Sequence, residues 1–415
     1  MLASTVPLLA TVLAAASPVQ VLSQQYLDGL FHARPHLATY MGVHTQDGRL
    51  MDLDPPAITQ RIRQLHALAA QVKALDLTKA STDDRADARI LADGIALELL
   101  YLEEIRDWAW DPRLDDSFPF YDPREYVASR LGNLIHGTFA PEAQRAKWVT
   151  AQLQALPHHL SMKQSSLVTP EPVRLAQAVK DNAGRIKFFD TELKAFTAKY
   201  PDAEKARVAA VKALESYQSF LSSFPAANAT RDWRLGKELY DRKFPLGLQT
   251  DMTPAELLKA AEDTFAAERR DLYTIARGLF VELWPQEPAP AENAPGPGQA
   301  QIIRRVFDEL SKNHPLAERL VQAHAEKLAG LRTFIAEKKL LKLPPADTLR
   351  VLPEPEYKRG ATGAEYLAPG MLDTSAKWHG TFYVDPVDPS WPPEKVESYL
   401  RANDWYGVTL TSAHE

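Results

Sequence analysis

The chain has 415 residues and no cysteine. Disulfides, thiolate nucleophiles and cysteine-based zinc sites are therefore excluded, and histidines and carboxylates remain as the metal ligands available. No residue among the 415 offers a thiol for lipid attachment. Neither charge dominates: 48 Lys and Arg stand against 54 Asp and Glu, a net charge of −6, with the signs interspersed. Without a basic stripe to neutralise phosphates, nucleic-acid binding is not expected. Beyond the N-terminus no stretch approaches the roughly 18 continuous apolar residues of a membrane span. There is no Gly-x-Ser-x-Gly elbow and no glycine-rich phosphate loop, so the usual serine-hydrolase and nucleotide signatures are missing too. What is present is an ordinary globular composition, 45% hydrophobic and 25% charged, long enough for a substantial core.

Residues 1–18, MLASTVPLLATVLAAASP, carry an apolar run that ends in the small residues Ala14-Ala15-Ala16. This is the pattern of an export signal, although no Lys or Arg precedes the run; a buried N-terminal helix is the alternative. We expect residues 1–17 to be signal-like and the mature protein to be exported and periplasmic.

The middle of the chain reads as helix. Ile90, Leu91, Ile95, Leu99, Leu102 and Ile105 fall three and four apart, as do Val208, Val211, Leu214, Tyr217 and Leu221 after the break at Pro201. Thr253-Pro254-Ala255-Glu256 combines an N-cap, a first-turn proline and a Glu able to reach back to the cap. Leu257, Ala261, Phe265, Leu272 and Ile275 continue that helix with an apolar stripe expected to face a core. Further helices are expected to start near Pro141, Pro170 and Pro315. The Pro- and Gly-dense segment Trp284–Gln301 reads as an exposed linker or a long interhelical loop. After Pro345 the texture changes. Thr348–Leu352 and Gly380–Val384 are β-branched or aromatic and bounded by Pro, Gly and Asp, which predicts two short strands. The expected architecture is mainly α: a helical domain over 18–346, then a region over 347–415 with two strands and a final helix running into His414-Glu415.

A helix bearing His then Glu is how one common zinc-hydrolase site begins: the imidazole binds the metal and the neighbouring carboxylate takes a proton from water. Such a site needs at least two more ligands. The tracts 121–160, 252–265, 363–386 and 399–415 together resemble a bacterial family known as domain of unknown function 885, DUF885. That resemblance implies an exported, mostly helical zinc-dependent peptidase with a His-Glu-x-x-Pro-Gly-His signature, acting on a peptide or small amide. It places the first metal ligand on His414 and the catalytic base on Glu415. The rest of the signature has no counterpart in the chain, so the resemblance implies an N-terminal fragment. Alone, that fragment is expected to be inactive and to bind no zinc tightly, its partner being the missing C-terminal half. A non-catalytic helical peptide-binding or scaffold protein of the cell envelope is the alternative.

Gly380, Phe382 and Tyr383 are candidate substrate contacts on an edge strand that pairs with an extended peptide, and Tyr366, Trp378 and His379 are candidates for lining the cleft. Each of these side chains has packing as its alternative role. The aromatic and acidic segment Asp107–Tyr126, with Trp108, Trp110, Asp111, Asp115, Asp116, Phe118, Phe120 and Tyr121, reads either as a sugar or cation platform or as a long loop pinned by its aromatics. His158 and His159 are adjacent on a helix and point about 100° apart, which disfavours a shared ion. His136 and His324 are read as packed or solvated.

Overall fold

Proline opens many of the helices, because its fixed φ suits the first turn and its missing N–H is not needed there. A computed structural model describes residues 16–114, 126–137, 139–343, 349–354, 363–368, 370–373 and 380–415. The signal-like residues 1–15 lie outside that set, as do Asp115, Asp116, Phe118, Phe120, Tyr121, Trp378 and His379. The described residues are mainly helical. The helices are α1 (Pro18–Ala33), α2 (Pro35–Tyr40), α3 (Pro55–Lys73), α4 (Thr82–Leu99), α5 (Tyr126–His136), α6 (Glu142–Ser166), α7 (Pro172–Asp190), α8 (Glu192–Thr197), α9 (Pro201–Ser222), α10 (Lys237–Leu248), α11 (Pro254–Leu283), α12 (Gly296–Leu310), α13 (Leu320–Lys338), α14 (Pro393–Ala402) and α15 (Trp405–His414). They fall into two compact units, residues 1–253 and 254–415.

In the first unit, α1, α3 and α4 share a core that includes Leu30, Leu65 and Ile95. The Ser17 side chain and Gln20 form a reciprocal capping box at the start of α1. The predicted stripe on α4 is mostly present: Leu91, Ile95 and Ile105 are buried, whereas Ile90 is exposed. It ends in a π-helical turn over Leu100–Ile105, closed by the left-handed Arg106. A second core joins α5 to α9 through Leu134, Leu153, Phe189, Leu214 and Tyr217. Truncating any one of its fully buried leucines to alanine costs about 2–5 kcal/mol. At the end of α5, Arg145 donates to the Leu134 and Ile135 carbonyls, satisfying groups that the helix itself leaves open.

The second unit begins at Pro254, where the cap signal placed it. The expected buried stripe on α11 is a misreading. Leu257, Phe265, Leu272 and Ile275 are exposed; the buried residues are Tyr273, Ala276 and Phe280, of which Ala276 and Phe280 pack on Val306 of α12. Between these helices, residues 284–295 form a fastened loop: the Tyr273 hydroxyl donates to the Ala291 carbonyl at 2.5 Å and Arg277 Nε to the Pro290 carbonyl at 2.8 Å.

Among the described residues the unit also holds three strands where two were expected: β1 (Arg350–Pro353), β2 (Ala364–Leu367) and β3 (Thr381–Val384). Their order is β1-β3-β2, with β1 parallel and β2 antiparallel to β3. The strand predicted as an edge, Gly380–Val384, is thus the centre of the sheet. Phe382 and Val384 from β3 bury against Leu320 and Ala323 of α13 and Val408 of α15. The sheet and last helices, set apart by sequence as 347–415, therefore pack on α13 within one unit.

Candidate functional site

The helix that carries the His-Glu pair is fixed at both ends and along one side. Asp404 caps it, accepting from the Tyr406 and Gly407 N–H groups at 2.9 and 2.8 Å. Gly407 permits a close approach to the preceding turn, since a Cβ there would lie 2.9 Å from the Ala402 carbonyl oxygen. Val408 and Ser412, four residues apart and so on one face, are both buried. A hydrogen bond of 2.9 Å joins Ser412 Oγ to Nδ1 of His324 on α13. The His324 ring in turn meets Phe382 of β3 edge-on, with centroids 5.4 Å apart. Burial pushes the pKa of His324 down to about 4, so the imidazole is neutral at physiological pH.

At the far end of α15, His414 is exposed and Glu415 half-buried. The Glu415 carboxylate accepts the backbone N–H of Tyr366 at 2.9 Å. Tyr366 opposes Phe382 in the ladder, and its N–H points away from β3, out of the open side of β2. The ring of Tyr366 lies over Gly380. A Cβ at residue 380 would sit 2.5 Å from the Tyr366 hydroxyl oxygen.

The structure therefore brings together Glu415 and Tyr366 at the margin of β2, with Gly380, at the start of the central strand, under the Tyr366 ring. Phe382 shares their face but is fully buried. Tyr383 alternates to the opposite face, paired with Glu365. Sequence reasoning missed the Ser412–His324 bond that anchors the helix. The signal available was the polar Ser412, one turn past the apolar Val408.

Zinc needs at least three protein ligands. Among the described residues no three His, Asp or Glu side chains converge, so these residues do not complete a zinc site around His414. The other histidine candidates are separate. His158 is exposed and 3.3 Å from Asp54. His159 is buried, with Nδ1 3.1 Å from the Met51 carbonyl. His136 pairs with Glu192 at 3.0 Å. Trp108 and Trp110 are pinned by indole N–H bonds to the Leu102 and Ile105 carbonyls, at 3.2 and 2.8 Å.

Residues 35–415 match a family described as a bacterial protein of unknown function, DUF885. No curated protein matches the chain. A solved structure from Shewanella oneidensis, described as "a putative lipoprotein of unknown function", is similar with a TM-score of 0.71 at 24% identity, covering 97% of this chain and 70% of that one. At that identity the likeness speaks for the fold. No helix among the described residues is long and apolar enough to cross a membrane.

Proposed function

The chain belongs to the bacterial DUF885 family, and from that premise we propose that it is the peptide-aligning part of an exported peptidase-type hydrolase, with Glu415 as general base. The observation that supports this reading is the Glu415 carboxylate on the outward N–H of Tyr366. An open strand edge binds an extended peptide through its free backbone groups. A peptide carbonyl arriving at Tyr366 takes over that N–H and releases the carboxylate beside the newly bound backbone. Glu415 then removes a proton from the attacking water and returns it to the leaving amine. The zinc implied by the family resemblance would take His414 as one ligand and require others that the described residues do not supply, so no step is assigned to it. Export is inferred from the signal-like residues 1–17 and from the description of the Shewanella oneidensis chain as a lipoprotein.

The test uses the protein purified from its own host and a series of fluorescence-quenched peptides. Turnover that falls by about 10²-fold or more in Glu415→Gln, with peptide affinity retained, supports the reading. Undiminished turnover in that variant overturns it. The outward N–H of Tyr366 on the margin of β2 serves a second reading as well, a peptide-binding protein of the envelope without hydrolysis. Saturable peptide binding with no cleavage by the native protein selects it.

A further inference from the structure

Helix α11 runs for 30 residues, but only its second half is covered. Its buried residues are Tyr273, Ala276 and Phe280, and Ala276 and Phe280 pack on Val306 of α12. No residue of 254–272 is buried, and 255–266 are exposed one after another. About five turns of bare helix are marginal in water, because most helical stability in a protein comes from packing an apolar face. That face is present. Leu258, Ala261, Phe265, Leu272 and Ile275 recur three and four residues apart, at the a and d positions of a heptad that Glu268 alone interrupts. Phe265 and Ile275 are 65% and 62% exposed. Ala276 and Phe280 lie about 90° round the helix from Leu272 and Ile275, so α12 leaves this stripe open to a second helix.

The charges beside the stripe decide what fits it. Glu262 and Arg269 hold successive e positions, and among the described residues neither has an ion-pair partner; Arg269 only leans over the Phe265 ring, 5.9 Å from its centroid. Lys259, by contrast, is paired with Asp263 one turn on. Two copies of this helix laid antiparallel, with Leu258 against Ile275 and Ala261 against Leu272, bring each Glu262 opposite the Arg269 of the other copy, twice by symmetry. Sliding one helix by a heptad sets Glu262 against Glu262 or Arg269 against Arg269. A parallel pairing in register sets Arg269 against Thr264 and Glu262 against Leu257. Of these arrangements, a single antiparallel register buries the stripe and joins the opposite charges.

We propose that α11 is a dimerisation helix, which pairs antiparallel with α11 of a second copy of this chain about a two-fold axis at Ala266-Ala267. Glu262 and Arg269 set the register, and Glu268, packed beside Phe265 of the other copy, weakens the seam. The inference goes beyond the hydrolase reading and does not depend on it, since α11 carries none of the residues at the margin of β2.

Sedimentation velocity of the full chain over a concentration series tests it. A dimer is expected, with a Kd of about 10 µM or tighter. Glu262→Arg and Arg269→Glu should each weaken it about tenfold, and the two changes together in one chain should restore it, because opposite charges then face each other again. Glu268→Leu, which completes the apolar seam, should tighten it about tenfold, a gain that no contact within one chain would give. None of these side chains is buried, so the variants keep the fold, which far-UV circular dichroism checks. A chain that is monomeric at every concentration up to about 100 µM overturns the proposal and leaves α11 to a different polypeptide. Association that survives Phe265→Asp overturns it as well, since another surface then carries the contact. So does a charge-swapped pair that fails to restore what either single change loses. The concentration series uses the unaltered chain and stands without any variant.

Discussion

Ser412 of α15 and His324 of α13 are joined by a hydrogen bond of 2.9 Å between two buried side chains, 88 residues apart in sequence. Among the described residues the other ring nitrogen of His324, Nε2, is buried without a partner, so this bond is what satisfies the imidazole. It also fixes the rotation of the helix that ends in His414 and Glu415. Ser412→Ala strands both ring nitrogens and is expected to cost about 1–3 kcal/mol. Urea unfolding followed by tryptophan fluorescence measures the loss. Ser412→Thr, which keeps the hydroxyl, is expected to recover part of it.

The ring of Tyr366 covers Gly380 across the sheet, so the two positions should be coupled. Gly380→Ala is expected to destabilise by about 1 kcal/mol or more, because the new methyl group displaces the ring. In a Tyr366→Ala background the same change should be close to neutral. A double-mutant cycle reads the difference, and strict additivity would show that the ring does not press on the glycine.

Arg61 and Glu98 form a buried pair with two bonds of 2.8 Å. Arg61→Met leaves the carboxylate uncompensated in the core and is expected to cost about 3–5 kcal/mol. Changing both residues, Arg61→Met with Glu98→Leu, should recover most of that. Thermal melts of the three variants beside the parent protein decide it.

His159 gives the first unit a definite pH response. Desolvation by burial pushes its pKa down to about 4; the Met51 carbonyl works against that shift, while Lys163, His158 and Arg185 add to it. The unfolded chain takes up the proton near pH 6.5, so between about 6.5 and 4 it binds more protons than the folded one. The contribution is fully present above the unfolded value and is lost as the pH falls towards the folded one. Stability should drop by up to about 1.4 kcal/mol per pH unit across that window from this residue. His159→Gln should flatten the dependence in urea melts at pH 7, 5.5 and about 4.5. An unchanged slope would assign the acid lability elsewhere.

Much of the fold was legible because the punctuation is strong. Pro254 begins α11 where the cap sequence placed it, and Pro141 immediately precedes α6. The α11 stripe shows the limit of that reading. Leu257, Phe265 and Ile275 have the right period, but so do Tyr273, Ala276 and Phe280, and period alone does not say which face a neighbour covers. Strand β2 escaped because Ala364-Glu365-Tyr366-Leu367 has little β-branching and owes its form to pairing with β3. The same pairing turned Gly380–Val384 from an expected edge into the centre. At the candidate site, His414 and Glu415 were visible as a dipeptide on a helix. The contact with Tyr366 was not, since it joins residues 49 apart through a backbone group.

The carboxylate lying on the outer amide of β2 has one more effect. A bare strand margin is a template on which identical molecules stack into sheets. Here the margin is partly stoppered by the chain's own acid, so self-association at that rim is discouraged, and only a guest offering a better acceptor gains entry.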